Sequence, residues 1–111
     1  MKKIIVLMLA LILLTGCENK YTVIDTNTAK SKIEEGAILI DVRTEEEYAE
    51  SHIENAINIP LDIIETIDLN KDDVIILYCA SGMRSVEAAK KLVAIGYTNI
   101  YSLDGGLINW G

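Results

Sequence analysis

Apolar residues fall in two nearly continuous runs, Ala37–Val42 and Val74–Tyr78, rather than in the alternation of a half-solvated sheet. Such runs predict strands covered on both faces, the habit of a parallel sheet. Around them the pattern shifts to helical spacing or to short extended pieces. Tyr21–Asp25 reads as a first strand, Thr28–Glu35 as a helix closed by Gly36, and Ala56–Asn58 and Asn99–Ser102 as further strands. Thr44 with Glu47 three residues later forms a capping-box signature, so a helix starts there and fades near Ser51. Pro60 is placed as the first helical residue of Leu61–Ile67, in which Leu61, Ile64 and Ile67 recur at helical spacing. Val86, Ala89, Leu92 and Val93 mark the apolar face of a longer helix, Ser85–Ile95, with Gly96 behind it. Asp104-Gly105-Gly106 is a turn, and Leu107–Trp110 closes the pattern. Strands alternating with helices predict a single α/β domain with a largely parallel sheet.

The first residues stand outside this pattern. Lys2 and Lys3 precede an apolar run, Ile4–Leu14, which ends in Leu14-Thr15-Gly16-Cys17. The run is too short for a membrane span of about twenty residues and fits the apolar core of a secretory signal. Its cysteine stands where small residues prepare a cleavage site, and the segment resembles the lipobox of bacterial lipoproteins. That resemblance implies a signal peptide over residues 1–16, lipid (diacylglyceryl and palmitate chains) on Cys17, and a short polar tether over 17–20. The domain at 21–111 is then expected to be exported and lipid-anchored to the outer face of a bacterial membrane, at the cell surface or in the periplasm.

Composition narrows the remaining classes. The full chain of 111 residues carries 17 acidic against 10 basic side chains, a formal net charge of −7, and cleavage removes only basic ones. Nucleic acid and polybasic membrane contact are excluded as readings, and a small acidic domain is expected to be monomeric. Cys17 and Cys79 are the 2 cysteines of the sequence. If Cys17 is acylated, the two form no disulfide and Cys79 remains a lone thiol.

Cys79 opens the run Cys79-Ala80-Ser81-Gly82-Met83-Arg84-Ser85 directly behind the apolar strand Val74–Tyr78. A strand turning into a helix there leaves backbone N–H groups without intrahelical partners, and Gly82 allows the turn that gathers them. An anionic sulfur is stabilised in such a place, and a thiolate so held needs no separate base. Arg84 adds a permanent cation, and Ser85 is the expected N-cap of the helix. In an open α/β sheet, ligands lie beyond the carboxyl ends of strands, so Asp41 and Arg43 at the end of one strand are expected to adjoin Cys79 at the end of another.

Three ordered segments then resemble the rhodanese, or thiosulfate sulfurtransferase, family. They are Asp41-Val42-Arg43 with Glu47-Tyr48 and the run His52–Pro60, then Cys79–Ser85, then Gly105-Gly106 with Trp110. The resemblance spans essentially all of residues 21–111. It implies a five-stranded parallel sheet with helices on both faces and a catalytic cysteine, Cys79, that carries sulfur as a persulfide. Residues Ala80, Ser81, Gly82, Met83, Arg84 and Ser85 would bind a small anionic sulfur donor such as thiosulfate, and a thiol or cyanide would take the sulfur. Neither cofactor nor metal is implied. Cysteine phosphatases on a related fold have five residues between cysteine and arginine, whereas four separate Cys79 from Arg84, which favours sulfur over phosphate. Ala80 and Met83 stand where many relatives have polar side chains, pointing to a less charged substrate or to slow turnover. The alternative function is a membrane-tethered persulfide carrier or interaction module with little turnover.

Other residues receive plainer roles. The single histidine, His52, is placed as a structural hydrogen-bonding residue, and one His with one free Cys makes no zinc set. Arg43 and Glu47 are spaced for an ion pair, Asp41 and Arg43 are placed in support of the Cys79 loop, and Trp110 is placed as a core anchor.

Overall fold

The computed structural model describes residues 20–110, so the signal segment, the Cys17 lipobox and most of the tether lie outside the described residues. Five parallel strands form one sheet: β1 (Tyr21–Ile24), β2 (Ile38–Asp41), β3 (Ile57–Asn58), β4 (Ile75–Tyr78) and β5 (Ile100–Leu103). Their order across the sheet is β1-β5-β4-β2-β3, which puts β4 in the middle. All four residues of β4 are buried, as its unbroken apolar run requires. The helices are α1 (Thr26–Glu34), α2 (Glu45–Glu50), α3 (Met83–Ala94) and α4 (Gly106–Trp110), with a 3₁₀ helix at Leu61–Thr66. Among the described residues no helix is long and apolar enough to cross a membrane.

The sheet divides the core into two layers. On one face α3 and the 3₁₀ helix bring Ala88, Ala89, Leu92 and Ile64 against Ile40, Ile75 and Leu77. On the other, Ala29 of α1, Ile53, Ala56 and the half-buried Leu107 and Trp110 of α4 pack against Leu39, Ile76 and Tyr78. The expected α/β fold, with helices on both faces, is therefore the one observed. Trp110 closes the second layer as expected, with the Lys30 ammonium 5.1 Å from its ring centre.

Several element ends differ from the sequence expectation for local reasons. Asp25, expected to end β1, instead caps α1 by accepting from the Thr28 amide at 2.8 Å, so that helix starts earlier. Pro60 occupies the cap position ahead of the 3₁₀ helix rather than its first turn, with an extended ψ of 151°. The α2 capping box is present in both directions: the Glu47 amide donates to the Thr44 hydroxyl and the Thr44 amide donates to the Glu47 carboxylate.

What positions the site is the carboxyl end of β2 beside that of β4. Asp41 pairs with Tyr78 in the sheet register, and the Val42 amide donates to the Tyr78 carbonyl at 2.9 Å. Val42 is thereby set next to Cys79. Asp41 and Arg43 are 0% and 5% exposed and bind one another, with Arg43 Nη2 to Asp41 Oδ2 at 2.7 Å and Nε also donating to the carboxylate. Arg43 is thus not the partner of Glu47, a correction to the pairing expected from spacing. Its Nη2 also donates to the Ser51 carbonyl at 2.7 Å, and Asn58 Nδ2 donates to the carbonyls of Asp41 and Arg43. Removing one charge of such a pair strands the other. Asp41→Asn is expected to destabilise the domain by about 3–5 kcal/mol, and an Asp41→Leu/Arg43→Met double replacement to recover most of that loss, in urea unfolding curves.

Candidate active site

The loop after β4 folds back on its own sulfur. Gly82 has φ of +111°, a left-handed conformation that a side chain resists, and it caps α3 at its N-terminus. Helix α3 accordingly begins at Met83, so Ser85 lies in its first turn and is not the cap that the sequence placed there. The turn carries the Gly82 amide to 3.0 Å from Cys79 Sγ. Ser85 Oγ lies 3.7 Å from the sulfur, 3.1 Å from the Gly82 carbonyl and 2.8 Å from Ser102 Oγ. A hydroxyl has one proton, so Ser85 can turn it from the carbonyl to the sulfur when the thiol ionises.

Cys79 is 1% exposed, and burial is the largest single influence on its thiol, pushing the pKa up. The Ser85 amide and hydroxyl and the amides of Gly82 and Ser81 act in the opposite direction and together prevail. The thiol pKa is held below its ordinary value, as expected for an anion ringed by N–H donors.

Why those amides point at the sulfur is explained by α4. Its Leu107 and Ile108 amides donate to the carbonyls of Cys79 and Ala80 at 2.8 and 3.2 Å. In a planar trans peptide the next N–H points opposite to the carbonyl, so drawing the Ala80 carbonyl toward α4 turns the Ser81 amide away from it, toward the thiol. Gly106, with φ of +58°, lets the two segments meet; a Cβ there would lie 2.3 Å from the Cys79 carbonyl oxygen. This gives the Gly105-Gly106 pair a physical role that the sequence left as a turn.

Arg84 was expected to face a donor. It instead makes a two-pronged pair with Glu47 of α2, Nη1 to Oε1 at 2.7 Å and Nη2 to Oε2 at 3.0 Å. Hydrogen bonding from Arg84, helped by the Thr44 amide, lowers the Glu47 pKa to about 2. The loop is thereby fastened to α2. Asp41 and Arg43 make their contacts away from the sulfur, and Ala80 and Met83 bring no polar side chain to it; Met83 is 82% exposed. His52 takes the structural place assigned to it, with Nδ1 2.8 Å from the Tyr48 carbonyl and its ring stacked on Tyr48. Among the described residues no group of three His, Cys, Asp or Glu could hold a metal.

Two site residues escaped the sequence reading. Ser102 is a buried polar position inside the apolar strand Ile100–Leu103, a signal that was available; Glu47 carried no signal toward Arg84, which lies 37 positions away.

The family model described as Rhodanese-like domain matches residues 25–111. The chain belongs to the rhodanese-like domain family. Rhodanese-like domain-containing protein 17 of Arabidopsis thaliana is 34% identical over 110 residues, covering 84% of this chain and 70% of the relative. A sulfurtransferase of Allochromatium vinosum is 36% identical over 78 residues, covering 68% of this chain and 73% of the relative. The crystal structure of a rhodanese-like domain protein from Staphylococcus aureus superposes with a TM-score of 0.73 at 35% identity, covering 81% of this chain and 91% of that one. Other curated relatives are far longer, and this rhodanese-like chain spans 19% to 23% of their length. Several of these relatives are named as sulfurtransferases, and others as tRNA uridine hydroxylases.

Alkylation of the rhodanese-like domain tests its thiol directly. The rate with iodoacetamide is expected to rise with pH through a midpoint below the ~8.5 of free cysteine. Losing one hydrogen bond to a charged atom, in Ser85→Ala, should move that midpoint up by about one unit. An unchanged midpoint would remove Ser85 from the account.

Proposed function

We propose that the protein is a sulfurtransferase that moves sulfane sulfur, from thiosulfate or a similar donor to a thiol or cyanide, through a persulfide on Cys79. The observation that carries this reading is the buried Cys79 sulfur, facing the Gly82 amide at 3.0 Å with its pKa lowered by surrounding donors. In the first half-reaction the Cys79 thiolate attacks the outer sulfur of thiosulfate. A Cys79 S–S bond forms, the S–S bond of the donor breaks, and sulfite leaves with the bonding pair. In the second, an acceptor thiolate or cyanide attacks the outer sulfur, and the Cys79 thiolate is released. Both steps are displacements at sulfur, favoured by an ionised nucleophile and a stable leaving group.

Residues Ala80–Ser85 form the binding loop for the transferred sulfur in this reading. The amides that stabilise the thiolate are equally suited to the persulfide anion, whose charge sits one atom further out. Asp41 and Arg43 support the loop indirectly by fixing the neighbouring strand end. The amino-terminal sequence supports export, lipid on Cys17 and work at the outer face of a bacterial membrane. Incorporation of a palmitate analogue in bacterial cells, abolished by Cys17→Ser, is the test of that part.

A second reading, a tethered sulfur carrier with little turnover, draws on the 1% exposure of Cys79 and the capture of Arg84 by Glu47. Thiosulfate is expected to add the mass of one sulfur atom to the purified domain and not to Cys79→Ser. Thiocyanate production with cyanide well above that of Cys79→Ser identifies the enzyme; loading without turnover identifies the carrier. No added sulfur from thiosulfate or from an organic persulfide rejects both.

A further inference from the structure

Arg84 is the loop's only cationic side chain, and its charge is already answered. The Glu47 carboxylate covers the guanidinium with two hydrogen bonds at 2.7 and 3.0 Å, and both side chains remain about a third exposed, at 34% and 37%. Arg84 lines a hollow of about 400 Å³ with Thr44, Leu61, Asp62, Glu87 and Lys91. Arg84 and Lys91 balance Asp62 and Glu87 in formal charge, so Glu47 at its edge tips the balance to negative. A hollow of about 360 Å³ that shares Glu87 with the first is lined by Gly82, Met83, Val86, Glu87 and Lys90. Its two charges cancel, Met83 is 82% exposed and Val86 is half-buried, so it offers apolar surface beside the amide that holds the sulfur. Neither hollow favours a doubly charged inorganic anion. Together they suit a small organic group carrying a sulfane sulfur and at most one negative charge.

Granting that Cys79 accepts sulfur as proposed above, we propose that Glu47 is a specificity-determining residue that cancels the Arg84 charge and turns the site from thiosulfate toward organic persulfides. The reaction is then Cys79–S⁻ with R–S–SH giving Cys79–S–SH and R–S⁻. The donor's S–S bond breaks, a new S–S bond forms on Cys79, and the electron pair leaves with the thiolate of R. No oxidant or reductant enters, because the sulfane sulfur keeps its oxidation state. The group R rests against Met83 and Val86, while the outer sulfur meets the Gly82 amide.

Glu47 also completes the α2 capping box, and a glutamine serves that motif equally, so Glu47→Gln removes the charge while keeping the cap. The experiment measures the rate of sulfur loading on Cys79 by quenched intact-mass analysis, with thiosulfate and with 2-hydroxyethyl persulfide, in the wild type and in Glu47→Gln. The ratio of thiosulfate to persulfide rates is expected to rise about tenfold in the variant, the lower end of what a change in cleft potential gives. A purely structural role would slow both donors alike, so a ratio within twofold of wild type overturns the proposal. Salt supplies an independent reading on the unmodified protein. Wild-type loading by thiosulfate is expected to hold or rise as ionic strength increases, and a several-fold fall would show an attracting cation and overturn the proposal even if the variant fails to fold. Loading by thiosulfate with an unchanged ratio leaves the sulfur-transfer reading intact while rejecting Glu47 as the selector. Failure of both donors to load rejects that reading itself, and this proposal with it.

Discussion

A sulfur buried at the end of a central strand, its thiol pKa held below the ordinary value against the effect of burial, is the constraint on which the rest of the site depends. Removing a thiolate from water costs several kcal/mol unless donors replace the solvent, and Cys79 is almost wholly covered. The donors here are mainly backbone amides, supplemented by the Ser85 hydroxyl. Amides cannot be aimed singly, because each is tied to the carbonyl on the opposite side of its peptide plane. The loop can present N–H groups inward only if its carbonyls find partners outward, and α4 supplies those partners through Leu107 and Ile108. A thiol at position 79 therefore relies on a helix starting 27 positions later and on the bare Cα of Gly106, where any side chain would meet the Cys79 carbonyl.

The second support is polar and lies one strand away. The Asp41–Arg43 pair, Ser51, Asn58 and the ends of β2 and β3 form one satisfied network, with the Tyr78 hydroxyl close by accepting from the Ile53 amide at 3.0 Å. Burial pushes the Tyr78 hydroxyl pKa well up, so it stays a neutral partner. A buried ion pair contributes little net stability against a well-packed apolar substitute. Its effect is geometric: it fixes the chain direction leaving β2, so that Thr44 caps α2 and Glu47 arrives opposite Arg84. One network thus connects the sheet edge to the cysteine loop without touching the sulfur.

The sheet was legible because burial on both faces of β2 and β4 leaves uninterrupted apolar runs, a signal carried by adjacent residues. The capping box was legible for the same reason, being complete within four positions. Misreadings of Arg43 and Ser85 occurred where a nearer residue, Asp41 or Gly82, took the role first. Arg43 and Glu47 have the spacing of a helical pair, yet Arg43 lies in a bend ahead of the Thr44 cap, outside the helix, where that spacing does not bring the side chains together. Ser85 has the chemistry of a cap, but Gly82 reaches the left-handed conformation first and the helix starts there. The cysteine loop could be read as an anion-holding turn from Gly82 and its place after a strand. That Arg84 is occupied could not, since Glu47 reaches it from another helix.

Dipoles and ions divide the electrostatic task in this loop. Backbone amides are short-ranged and fixed in direction, so they favour charge at one point, the sulfur, and do little to draw anions from solution. An arginine acts over a longer distance and would attract any anion reaching the mouth, at the risk of competing with those amides. Pairing it with Glu47 shortens its range to that of a dipole while two of its donors clamp α2. The cation thereby becomes a fastening for the loop. A thiolate held by amides and the Ser85 hydroxyl can gain a sulfur atom without changing the charge that its surroundings must bear, which is the electrostatic condition that the proposed shuttling between thiolate and persulfide requires in a buried site.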